Sequence, residues 1–190
     1  EIRTQGGGSY SYGLTVGGPA VMRGTLTGGP GGLRAETFDL VAGYHIDFAG
    51  AGLARLLARD AASAEAAGTD LFVAFSPRGK LPEAVPGKTW NGKMTARVYA
   101  YAKGDANRRT IGEAKLDASY SFLAEMRADI SGCSYRIIPV ELKLTWQGET
   151  ALQRRILFFP DLGVSAITIW GPDVDGPQAK TGITGMGSGN

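Results

Sequence analysis

Apolar and polar side chains take turns along most of this chain, and that period of two constrains its fold more than any other feature. On an extended strand successive side chains point to opposite sides, so each alternating stretch must bury one face and wet the other. The clearest run covers 37–48. Phe38, Leu40, Ala42, Tyr44, Ile46 and Phe48 form one face, and Thr37, Asp39, Val41, Gly43, His45 and Asp47 the other. Before it, Tyr10, Tyr12, Leu14 and Val16 alternate with small polar residues. After the turn Gly17-Gly18-Pro19, the set Ala20, Met22, Gly24 and Leu26 reads as a hairpin partner.

The same period returns further on. Leu71 to Phe75 reads as a short strand buried on both faces, and 77–92, with three prolines and three glycines, as a long loop. Met94, Ala96, Val98, Ala100 and Ala102 make one face of a strand that turns at 104–107. The return strand, 109–122, has Ala114, Leu116, Ala118, Tyr120 and Phe122 inward and Glu113, Lys115, Asp117, Ser119 and Ser121 outward. Residues 124–129 read as a helical turn or a loop. Ile138, Val140, Leu142, Leu144 and Trp146 alternate again. Pro139 cannot donate a ladder hydrogen bond, so an edge or a bulge is expected there. Two more strands, 152–159 and 164–170, complete eight or nine.

One segment breaks the pattern. Residues 51–67 are rich in alanine and leucine and carry no β-branched residue. Leu53, Leu56 and Leu57 stand at i, i+3 and i+4, and Gly68 follows. This spacing predicts one amphipathic helix with a narrow apolar stripe. Strands joined as consecutive hairpins form an antiparallel meander. With a single apolar face, such a meander must curl around its own core. The expected fold is mainly β: an open or partly closed antiparallel barrel with the inserted helix, about 51–67, covering it. A chain of 190 residues fits one domain, 9–170. Of its 29 glycines, eleven fall in 1–32 and six in 171–190. The segments 1–8 and 171–190 are therefore expected to be flexible ends.

Several chemistries are poorly supplied. With 20 Lys+Arg against 18 Asp+Glu the net charge is +2, too balanced for a dedicated nucleic-acid binder. The doublets Arg108-Arg109 and Arg154-Arg155 read as solubilising residues of sheet edges and outer faces. One cysteine, Cys133, and one histidine, His45, cannot make a disulfide or a zinc site. His45 shares its face with Asp39 and Asp47, but side chains two apart on a strand stand about 7 Å from each other, too far for a direct hydrogen bond. Asp173-Val174-Asp175-Gly176 lacks the later acidic ligand a calcium loop needs, and 171–181 lacks the spacing of a phosphate loop. No stretch of 18 apolar residues is present to span a bilayer as a helix. The chain is therefore expected to be no enzyme, to carry no cofactor or metal, and to bind no nucleic acid.

Binding remains. Seventeen residues are aromatic, and many lie on the apolar strand faces. Those positions are core by default. They can also line a chamber, because a barrel of about eight strands holds one small ligand when its side chains leave room. Ala96, Ala100, Ala114 and Ala118 would leave it. The candidate ligand-binding residues are Tyr12, Phe38, Leu40, Tyr44, Ile46, Phe48, Leu53, Leu56 and Tyr120. The expected function is a non-catalytic envelope protein holding a lipid, an acyl chain or a hydrophobic peptide segment. The alternative is a structural or protein-interaction module with a filled core.

In layout alone, the strand meander with an inserted helix is similar to periplasmic lipoprotein carriers, which are open antiparallel half-barrels with a helical lid. That similarity implies a periplasmic location and hydrophobic cargo. A chain beginning at Glu1, not Met, also fits an exported product whose signal peptide has been removed.

Overall fold

The computed structural model describes residues 2–4, 9–13, 21–26, 36–41, 44–46, 48–49, 51–102, 109–171, 179–180 and 183–186. The fold is mainly antiparallel β, a curled open half-barrel with two short helices. A six-stranded sheet holds β1 (Ile2–Thr4), β2 (Ser9–Gly13), β3 (Val21–Leu26), β4 (Glu36–Val41), β5 (His45–Ile46) and β15 (Ile183–Met186), in the order β15-β1-β2-β3-β4-β5. Strands β1 and β15 pair with each other, with Ile2 opposite Met186.

The larger sheet contains β6 (Phe48–Ala49), β7 (Thr69–Pro77), β8 (Thr89–Ala102), β9 (Arg109–Phe122), β10 (Met126–Ile130), β11 (Cys133–Trp146), β12 (Glu149–Phe159), β13 (Val164–Gly171) and β14 (Ala179–Lys180). Its order is β14-β13-β12-β11-β9-β8-β7-β6, and β10 pairs β11 beyond the end of β9. The inward sets are as the alternation requires. Ala114, Leu116, Ala118, Tyr120 and Phe122 of β9 are buried, and so are Ile138, Val140, Leu142 and Leu144 of β11. Register bulges at Val98/Tyr99, Leu144/Thr145 and Arg155/Ile156 add twist and help a wide sheet curl. The hairpin turns Ser131-Gly132 and Gln147-Gly148 have positive φ at both residues, the geometry that matches strand twist.

The outer face neutralises itself across the strands. Lys93 faces and pairs with Asp117, Arg97 with Glu113 at 2.9 Å, and Arg155 with Glu141. Exposed pairs of this kind contribute about 0–1 kcal/mol each, so their effect is on register and solubility more than on stability.

Four local readings change. The run 37–48 is not one strand: β4, a turn at Tyr44, β5 and β6 divide it between the two sheets. Residues 51–67 form two helices, α1 (Ala51–Leu57) and α2 (Ala61–Ala66), parted at Arg59-Asp60. Asp60 immediately precedes α2, where aspartate is a favoured N-cap. Residues 126–130 are a strand, not a helical turn or loop. Pro139 is interior, opposite Leu157. Its carbonyl accepts from Leu123 N–H at 2.8 Å, so its nitrogen looks into the gap where β9 has ended and β10 has not begun. The missing donor costs nothing there.

Candidate functional site on the concave face

Two covers lie on the concave face. At one end stand the helices. Leu53, Ala54, Leu57, Ala58, Ala61 and Ala64 are buried, with α1 against β7, β8, β9 and β12 and α2 against β7. Gly112 of β9 makes this approach possible: a methyl group there would stand 2.9 Å from Ala58 Cβ. The four alanines that were expected to leave room, Ala96, Ala100, Ala114 and Ala118, are all buried. The Thr69 hydroxyl donates to the Ala64 carbonyl at 2.5 Å and satisfies the end of α2.

At the other end is an aromatic cluster. Tyr44 meets Tyr120, Phe122 and Phe158 edge-on, with ring centroids 5.5, 5.2 and 5.8 Å apart. Trp90 tilts over Tyr120 at 5.8 Å, and its ring fills the space above Gly92. Edge-to-face pairs of this kind add to simple area burial. The Tyr44 hydroxyl donates to the Pro82 carbonyl, in the loop that runs from β7 to β8. Burial raises the Tyr44 pKa to about 12, so the group stays neutral and keeps its donor at ordinary pH.

Among the candidate ligand residues, Tyr44, Tyr120 and Leu53 are buried on this face, and Tyr44 and Tyr120 touch. Leu56 is not on it: the residue is 48% exposed, because the buried stripe of α1 runs through Leu53, Ala54 and Leu57. Tyr12, Leu40 and Ile46 stand in one cross-strand row of the six-stranded sheet, linked through Met22, with Phe38 opposite Gly24 and Phe48 opposite Ala74. The side chains of these five lie outside the described residues, as do those of Asp39, His45 and Asp47.

Sequence reasoning missed Phe122 and Phe158 as neighbours of Tyr44, and Trp90 as the neighbour of Tyr120. Trp90 was assigned to a loop, although Trp90, Gly92, Met94 and Ala96 continue the parity of β8 backwards. Phe122 and Phe158 carried the right parity. Their meeting with Tyr44 depends on how far the sheet curls, and no spacing encodes that.

Elsewhere the chemistry is sparse. Cys133 is exposed beside the β10–β11 turn. Among the described residues no three His, Cys, Asp or Glu side chains gather closely enough to hold a metal ion, and no helix is long and apolar enough to cross a membrane. An open hollow of about 380 Å³ is lined by Asn91, Gly92, Lys93, Asp117, Ala118, Ser119 and Thr145, and its one cation and one anion are paired with each other. Of the basic doublets, Arg155 faces outward onto Glu141. Arg154 falls on the inward register opposite Leu142, half-buried, and donates to the Gln153 carbonyl at 2.9 Å. Arg136 ties two turns together by bonding Glu125 at 2.8 Å and Asp161 at 3.0 Å, and it holds the Glu125 carboxyl below its usual pKa. No protein-family model matches this chain, and neither does any curated protein or solved structure.

Proposed function

We propose that this chain is a non-catalytic structural or interaction module of the cell envelope, with a filled core and no small-molecule ligand. One observation carries the reading. Val98, Ala96, Tyr120, Val140 and Leu144, spread across the concave face, have no accessible surface at all. A chamber able to hold an acyl chain would leave accessible wall, because even a water-sized void does so. The module would then act through its edges and turns. Exported location belongs to the same proposal and rests on the similarity of layout to periplasmic lipoprotein carriers.

A second reading has its own support. In it the half-barrel binds a lipid, an acyl chain or a hydrophobic peptide segment. The cover over the concave face is made of two helices and a loop, and the helices contribute no ladder bonds. Cover of this kind can lift without breaking the sheet.

Solvent extraction of the purified protein followed by mass spectrometry, with a titration by a lipid-like fluorescent dye, separates the two. The filled-core reading expects no apolar molecule near one equivalent and no rise in dye fluorescence. One equivalent of co-purifying lipid would replace it with the carrier reading.

A further inference from the structure

The loop from β7 to β8 is built unlike an ordinary connection. Residues 79–86 form a short strap with a glycine of positive φ at its start, Gly79 at 101°, and another just after its end, Gly87 at 76°. Such backbone is open to glycine and strained for other residues, so glycine lets the chain turn at both joints without strain. Between them Pro82 and Pro86 restrict the chain. Both flanks are fastened to the sheet. Arg78 N–H donates to the Lys93 carbonyl at 2.9 Å. Gly87 N–H donates to the Phe122 carbonyl at 2.7 Å, and Phe122 N–H to that of Lys88 at 2.8 Å.

The middle is held differently. Lys88 N–H donates to the Val85 carbonyl at 3.1 Å and closes the turn at the strap's end, and the Tyr44 hydroxyl donates to the Pro82 carbonyl at its centre. The remaining attachment is apolar: Leu81 and Ala84 are half-buried against the core, while Lys80, Glu83, Val85 and Pro86 face solvent. Two fastened ends, a glycine at each bend, a stiffened centre and one polar contact from that centre to the sheet's aromatic cluster describe a latch.

We propose that the 79–86 strap opens as a unit about Gly79 and Gly87, with the Tyr44 hydroxyl as its latch, uncovering the aromatic cluster while both sheets stay intact. Segments with few buried contacts open at free energies below that of global unfolding. The opening stands whether or not an apolar ligand enters by it; entry would belong to the carrier reading, which the extraction experiment tests separately.

The test uses thiol labelling in a Cys133→Ser background. Ala84→Cys reports the strap, and Ala96→Cys, placed where there is no accessible surface, reports global unfolding. With Tyr44 intact, labelling at 84 is expected to be insensitive to low urea, while labelling at 96 climbs steeply. Adding Tyr44→Phe should speed labelling at 84 by about 2- to 10-fold without urea, the weight of one net hydrogen bond, and raise labelling at 96 by no more than the same factor, because global unfolding breaks that bond too. The proposal is overturned if Tyr44→Phe leaves labelling at 84 unchanged, or if position 84 follows the urea dependence of position 96. Should Tyr44→Phe fail to fold, the urea dependence with Tyr44 intact decides alone.

Discussion

Replacing Tyr120 by alanine lowers the free energy of unfolding by about 3–5 kcal/mol, the range for deleting a large buried aromatic ring. The side chain has no accessible surface. It stands between Trp90 and Leu142 in register, and Tyr44 meets its ring. Removing the ring forfeits transfer free energy and leaves a hole that rigid strands cannot close. For a chain of this length the corresponding fall in Tm is roughly 6–20 °C. Tyr120→Phe keeps the ring and loses only its hydroxyl, so its cost is about 1 kcal/mol. Urea and thermal unfolding, followed by tryptophan fluorescence, measure both. A Tyr120→Ala loss under about 1 kcal/mol would mean that the concave face relaxes around a missing ring, and the filled core would have to be abandoned.

The second large effect comes from a neighbouring pair of residues on one strand. Leu116 is 1% exposed and lies opposite Met94. Lys115, one residue earlier, is exposed and lies opposite Thr95. Leu116→Asp places a carboxylate in an apolar layer with no partner. It must stay desolvated or take up a proton, and either costs about 4 kcal/mol or more. Domains are stable by only about 5–15 kcal/mol, so much of the folded population is lost. Lys115→Asp places the same carboxylate on the outer face and shifts stability by no more than about 0.5 kcal/mol. Circular dichroism in a urea series compares them. Equal effects would mean that the strand has no fixed inside.

The ease of that contrast reflects how legible β9 was. Its five inward residues and its charged outward residues stand in strict alternation, and burial follows them residue by residue. The inward set of β11 was legible for the same reason. Parity says which side a residue faces, and nothing about what lies beside it. Pro139 was therefore read as an edge or bulge signal, when the relevant fact is that the neighbouring strand changes from β9 to β10 at that point. Ile137 and Phe159, on the outward parity, are buried because other parts of the chain cover that end of the sheet. The Leu53-Leu56-Leu57 spacing suggested a leucine stripe. Leu53 and Leu57 are buried as that spacing requires, but Ala54 takes the third place instead of Leu56, and the chain comes close to the sheet at Ala58 because Gly112 has no side chain to hold it away. The candidate site was legible as a set of inward aromatics, whereas its closure over Tyr44 and Pro82 depends on contacts between residues 38 positions apart.

The measurement closest to the central claim is a cysteine scan along β9 in the Cys133→Ser background. Single cysteines at 113 to 122 are exposed to a water-soluble maleimide under native conditions. If the concave face is closed and packed, positions 113, 115 and 117 label quickly. Positions 114, 116, 118, 120 and 122 label only through unfolding, at rates set by the stability of each variant. Rapid native labelling at 116, 118 and 120 would contradict the account: it would make the concave face a solvent-accessible chamber, not a core.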